Sequence, residues 1–266
     1  METRDWLETL FGDAALEEAW ERVRRNGGGP GVDGVTLEIF SIGVASALRS
    51  LGADLTSGNY RPMPYRGVRI PKPDGGQRRL VVATVRDRVA MTAATEGLRP
   101  RLEPLFHPCS FAYRPGMGVH DALAKITEYR DRGLRCVLRA DVGAFFDSVD
   151  HGLLEQLLGS AGIPDTVQAL IQAWLKSAVA EEGRLTAAAE GLPQGLPLAP
   201  LLANLYLTPF DRAMVEQGWK LVRYADDCAV CCATPEEAKE ALADAGAALH
   251  TLKLYLKESK TQITTF

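Results

Sequence analysis

The sequence predicts an α+β fold, and three observations predict it. Helical and strand-like segments follow one another in irregular order, without the strand–helix alternation of a doubly wound sheet. Two stretches, 66–84 and 219–232, read as hairpins, with strand-favouring residues on either side of a turn. Between them lie amphipathic stretches of helical period. With 266 residues the chain is long enough for one large domain or two modest ones. It shows no internal repeat and no flexible interdomain linker.

Taken in order, residues 3–25 read as one helix, because Leu7, Leu10, Phe11, Leu16, Trp20 and Val23 recur at helical spacing. The glycine-rich stretch Asn26–Gly34 is a loop. A second helix is expected over 36–52. The first hairpin runs through Gly67–Ile70, turns at Pro73-Asp74-Gly75-Gly76 and returns through Arg79–Val82. Helices follow over 86–106 and 118–131. Leu134 to Asp141 is a strand with Leu134, Cys136, Leu138 and Ala140 on one face and Asp141 at its carboxyl end. Residues 151–160, 164–178 and 198–216 are helical, the last two separated by the break Gly191–Gly195. After the second hairpin, Thr234-Pro235-Glu236-Glu237 has the form of a capping box, so a helix starts there and reaches about 251. Short strands close the chain.

Composition excludes several classes. No apolar run approaches a membrane span, and Met1–Trp6 lacks the build of a signal peptide. Five cysteines, odd in number and clustered, suit a reducing compartment such as the cytoplasm. Cys228-x-x-Cys231 resembles half of a zinc site, but no second pair exists, which leaves packing in a strand. The net charge of −4 argues mildly against nucleic acid, although a basic groove can coexist with an acidic remainder.

The chemistry concentrates in carboxylates. Asp226 and Asp227 sit together at the tip of the second hairpin, where they repel each other unless a cation compensates. If the strand ending in Asp141 neighbours that hairpin, all three carboxylates converge. Hard oxygen donors with open positions suit Mg²⁺, which keeps waters and takes phosphates. Two such ions about 3.5–4 Å apart serve in-line phosphoryl transfer.

At this point the motifs resemble a family. Arg223-Tyr224-Ala225-Asp226-Asp227 is similar to the catalytic motif of reverse transcriptases, and Asp141–His151 to their first carboxylate motif. Gly191–Gly195 with Pro200–Leu207 resembles the motif between them, and Arg69–Gly75 and Ser110–Gly116 resemble the fingers. Gly29–Gly34 is similar to the N-terminal extension of group II intron reverse transcriptases and their bacterial relatives. The motifs stand in the family's order over residues 26 to about 262. Leu196–Pro200, in its Pro-Leu wording, also resembles CRISPR-associated reverse transcriptases. Gly143 departs from the intron enzymes, which usually carry lysine there.

The resemblance implies right-hand fingers and palm, with an antiparallel palm sheet flanked by helices and no thumb. Residues 1–116 would be the N-terminal extension and fingers, and 117–266 the palm, with 152–192 packing towards the fingers. It implies Asp141, Asp226 and Asp227 as catalytic carboxylates, and the Val142 carbonyl as a further ligand to two Mg²⁺, with Mn²⁺ able to substitute. Lys72 and Arg78 would bind the nucleotide triphosphate, with Arg79 as the other arginine candidate. Phe146 would lie under the sugar, where a ring collides with a 2′-OH. Gln194 would contact nucleotide or template, Lys260 would lie near the pyrophosphate, and Tyr113 and Arg114 would touch the template. The implied activity is RNA-directed DNA polymerisation from dNTPs, on an RNA template with a DNA or RNA primer, without a membrane. A maturase-like RNA-binding scaffold without catalysis is the rival, and a palm-fold nucleotide cyclase a second. Three catalytic aspartates account for three of the four net negative charges. The chain stops just past Lys260-Thr261, where the resemblance places a primer grip and thumb, so it is expected to be one domain of a longer protein or to draw the thumb from a partner.

Overall fold

The computed structural model describes residues 3–71, 75–186 and 190–266. Helices α1 (Thr3–Phe11) and α2 (Asp13–Asn26) replace the single helix expected over 3–25. The break is at Gly12, whose backbone is extended (φ −64°, ψ 162°). The second expected helix is likewise two, α3 (Leu37–Ile42) and α4 (Val44–Ser57), parted at Gly43. Strands β1 (Tyr65–Pro71) and β2 (Gln77–Val82) form the expected hairpin. Helix α5 (Val85–Leu102) runs into a 3-10 turn over Glu103–Leu105, and α6 (Val119–Asp131) and β3 (Cys136–Asp141) follow. After α7 (His151–Ser160) and α8 (Asp165–Leu175) come two short strands that periodicity does not announce, β4 (Val179–Glu181) and β5 (Arg184–Thr186). The chain ends with α9 (Ala199–Glu216), β6 (Lys220–Tyr224), β7 (Asp227–Cys232), α10 (Pro235–Thr251) and β8 (Gln262–Thr265).

Two compact units result. The first comprises Met1–Arg101 and Leu158–Ala199, the second Leu102–Leu157 and Pro200–Phe266. The boundary thus falls after Arg101 rather than after residue 116. The reason is backbone pairing: the Arg223 N–H donates to the Cys109 carbonyl (2.8 Å) and the Phe111 N–H to the Arg223 carbonyl (3.0 Å). Those bonds tie the segment after α5 to β6.

In the first unit the strand order is β2-β1-β4-β5, with β1 and β4 parallel and the other pairs antiparallel. Leu10, Leu16, Leu51 and Leu55 bury the apolar faces of α1, α2 and α4. The Gly191–Gly195 break folds onto β2, where the Val81 N–H donates to the Gln194 carbonyl at 2.8 Å. Gly195, at φ 111°, lies where a Cβ would overlap the Val81 carbonyl.

The second unit carries the sheet β6-β7-β3-β8, antiparallel throughout. Cys136, Leu138 and Ala140 of β3 are buried opposite Cys232, Val230 and Cys228 of β7. The period of two then puts Arg139 and Asp141 on the other face, together with Asp227. Helices α6 and α10 pack on this sheet, α10 through buried Leu249 and through Ala238, Ala241 and Ala245, small residues that let a helix approach closely. The Thr234 hydroxyl caps α10 by accepting from the Glu237 N–H (3.2 Å). The five cysteines are all buried and unpaired, in keeping with a packing role. Burial pushes the Cys228 thiol up to about 12. Among the described residues, no helix is long and apolar enough to cross a membrane.

Candidate active site

The site is built at one end of the second unit's sheet. Asp141, the last residue of β3, stands directly opposite Asp227, the first of β7. Like charges facing each other across a ladder are destabilising. Two cations of the chain offset this. Lys260 Nζ lies 2.8 Å from Asp141 Oδ2, and Arg139 Nη2 lies 2.9 Å from Asp227 Oδ2. Arg139, Asp141, Asp227, Ser259, Lys260 and Gln262 line a cleft of about 280 Å³.

Asp226 belongs to the two-residue turn between β6 and β7, in which Tyr224 pairs with Asp227. Ala225, the other turn residue, sits at φ 59°, a left-handed conformation costly for a residue with a Cβ. The Asp226 carbonyl accepts from the Val142 N–H at 3.1 Å, which ties the turn to the end of β3. Burial, reinforced by the charges of Asp141 and Asp227, holds the Asp226 carboxyl above the usual range. Buried Val142 forms an isolated bridge with Leu256, and the Lys257 N–H donates to the Asp141 carbonyl (2.8 Å). Those contacts bring the Lys260 segment to Asp141. The lysine's pKa is raised by that carboxylate.

Among the described residues, no three His, Cys, Asp or Glu side chains already form a metal-holding cluster. Asp141 and Asp227 instead face Lys260 and Arg139. The donor set nevertheless fits a hard divalent cation: its ligating side chains are anionic oxygens, and the third carboxylate is desolvated with two more charges beside it.

The remaining expected residues divide between the units. Phe146 is half-buried and packs edge-on against buried Phe145 (5.3 Å, 71°). Tyr113 is exposed, at φ 63°. Arg114 corrects the expectation of a template contact. Its guanidinium bonds to Glu103 (2.6 Å) and to the His107 and Ser110 carbonyls (2.8 Å each), and its side chain is only 8% exposed. It holds a loop rather than reaching outward. In the first unit, Arg78 is exposed on β2, and Arg79 pairs with Glu181 (3.1 Å) and Thr186 (3.0 Å). Gln194 is half-buried in its turn. Lys72 lies outside the described residues.

Sequence reasoning missed the group under the turn. Arg223 is wholly buried and forms a bidentate pair with Asp211, Nε–Oδ1 2.7 Å and Nη2–Oδ2 2.6 Å. An arginine directly after the apolar pair Leu221-Val222, with an aspartate next to Phe210 in the largely apolar helix α9, was the available signal.

Residues 70–265 match the family described as reverse transcriptase (RNA-dependent DNA polymerase). The chain belongs to the reverse transcriptase family. It is 34% identical over 192 residues to Protein YkfC of Escherichia coli K12, covering 71% of this reverse transcriptase chain and 50% of that protein. It is 30% identical over 177 residues to the group II intron-encoded protein LtrA of Lactococcus lactis, covering 66% of the chain and 29% of LtrA. The chain thus spans at most half the length of these relatives. In fold it is similar to a solved partial Cas6-RT-Cas1–Cas2 complex (TM-score 0.57, 22% identity, 94% of this chain and 43% of that one). Telomerase from Candida albicans, solved with a fragment of telomeric RNA, is also similar (TM-score 0.60, 12% identity, 86% and 46%). The α+β reading, with sheets flanked by helices in a polymerase fold, stands.

Proposed function

We propose that this reverse transcriptase chain is a catalytic polymerase core that transfers nucleotides from dNTPs to a primer 3′ end on an RNA template. The observation that supports it is the carboxylate set: Asp141 opposite Asp227, with desolvated Asp226 in the adjoining turn. Asp141, Asp226, Asp227 and the Val142 carbonyl would hold two Mg²⁺, or Mn²⁺ in their stead. When bound, these ions activate the attacking 3′-oxygen and neutralise charge on the leaving phosphate.

The chain's own residues do the rest. Lys260, half-exposed on Asp141, is a cation within reach of the departing phosphate, where a charge-assisted hydrogen bond counts most. Phe146, braced by Phe145, presents a ring to the sugar and excludes a 2′-OH. Tyr113 offers an exposed ring for stacking on the template. Lys72, Arg78 and Gln194 take nucleotide-binding roles on the strength of the resemblance. The ligands are therefore an RNA template, a DNA or RNA primer and dNTPs. A thumb, from further chain or from a partner protein, would hold the duplex, as would suit a relative of intron-encoded and CRISPR-associated enzymes.

The test is primer extension by Asp226→Asn, with folding checked by circular dichroism. An amide cannot supply the charge that holds Mg²⁺, so extension should fall by more than about 100-fold in a folded protein. Near-normal extension would remove the assignment. Template binding without extension by the parent chain would favour the RNA-binding scaffold.

A further inference from the structure

The Ala225–Asp226 turn is held from beneath by one buried guanidinium. Besides its fork on Asp211, Arg223 donates through Nη1 to the Ala225 carbonyl (2.9 Å) and to Asn204 Oδ1 (3.1 Å). Asn204 and Asp211 lie seven residues apart on α9, on the same helical face. Asn204 Nδ2 in turn donates to the Ala112 carbonyl (2.8 Å), and the Ser110 hydroxyl donates to Asn204 Oδ1 (3.3 Å). The residue after Ala112 is Tyr113, and Ala225 adjoins Asp226. Tyr113 and Ala225 are both non-glycine residues at positive φ. Such conformations persist where surrounding contacts over-determine them.

We propose that Arg223, oriented by Asp211 and Asn204, is a positioning residue. It fixes the Ala225 carbonyl and so sets the turn that presents Asp226 and Asp227. Through Asn204 it ties the Tyr113 turn to the same anchor. This rests on the polymerase reading of the carboxylates. Stability alone does not call for the arrangement. A buried ion pair is often replaceable by apolar residues of similar volume without loss, whereas removing one partner strands the other charge. What apolar residues cannot replace is the third donor, aimed at the turn.

That asymmetry supplies the test. The double variant Arg223→Met/Asp211→Leu removes both charges and the Ala225 bond together, and Arg223→Lys keeps a charge for Asp211 but loses the fork. Each is measured for thermal midpoint, for kcat and KM in single-nucleotide extension, and for amide exchange at Val142 without substrate. Val142 N–H is the reporter because it bonds the Asp226 carbonyl. In the folded double variant kcat should fall about 100-fold, as expected for misplaced reacting groups, with little change in KM for dNTP. Val142 exchange should quicken about tenfold as its bond loosens. Parent-like kcat and Val142 protection in a folded double variant overturn the inference. So does failure of both variants to fold, since the pair would then be a stability element. If the parent chain extends nothing but Val142 protection still falls in the variant, the polymerase reading fails and the positioning role stands.

Discussion

At residue 143 the chain has glycine where intron enzymes usually carry lysine, and the Tyr255 ring occupies the space. A Cβ there would overlap that ring, and the Gly143 N–H donates to the Tyr255 carbonyl (2.8 Å). Tyr255 is 58% exposed, so its ring can swing out. Gly143→Ala should therefore cost about 1–3 kcal/mol at most, the range of overpacking. In Tyr255→Ala the same change should be nearly neutral. A double-mutant cycle by urea unfolding measures the coupling, and additive costs would mean the ring does not fill that space. Phe146 invites a second substitution. Phe146→Ala should raise ribonucleotide use relative to dNTP use by about tenfold or more, since a pocket that loses bulk loses its power to exclude. Steady-state incorporation of matched dNTP and NTP pairs reads this, and an unchanged ratio would leave Phe146 as packing.

Between elements, the first unit is fastened by a polar cluster of the kind sequence patterns do not show. The Tyr60 hydroxyl donates to Asp87 Oδ1 (2.5 Å) and accepts from Trp174 Nε1 (3.0 Å), joining α5 and α8 to the segment before β1. The Thr84 hydroxyl and the Met63 N–H complete the shell of buried Asp87. Burial pushes the Asp87 carboxyl above its ordinary 3.8, against the pull of Tyr60 and Thr84. A carboxyl raised on folding favours the fold below its unfolded value, and that contribution is lost as the pH climbs through the folded value. Tyr60→Phe takes away a donor that lowers the value, so it should raise the carboxyl further and strand the Trp174 N–H. The expected cost is about 1–3 kcal/mol at neutral pH, shrinking as Asp87 protonates. Urea unfolding at pH 7 and at about pH 4 compares the two. A cost that grows towards acid would contradict this account of Asp87.

For the molecule as a whole, duplex affinity depends on neutralising phosphates, and a net charge of −4 leaves few spare cations. Several of the arginines already have carboxylate partners, among them Arg69, Arg79, Arg114 and Arg139. The 266-residue chain should thus bind primer–template weakly and add few nucleotides per encounter. Extension against an excess of trap template at physiological salt measures this. Long products would show that these residues hold the duplex unaided.

What the sequence by itself determined was local. Alternation and turn chemistry placed the hairpin with Asp226 and Asp227 at its end, Asp141 at the close of a strand, and the Thr234 cap, because each signal lies within a few residues. The ordered motifs likewise pointed to the family. Where a single glycine overrode periodicity, as at Gly12 and Gly43, or a strand ran only three residues, as β4 and β5 do, local pattern was too short to register. Tertiary structure alone decided which charges meet. Lys260 reaches Asp141 across 119 residues and Arg139 reaches Asp227 across 88. Arg114 read as a template contact and Arg223 as one letter of a motif, and the fold buried them against Glu103 and Asp211. The physical reason is that a side chain's charge shows in the sequence, whereas its partner and its solvent are supplied by elements far along the chain.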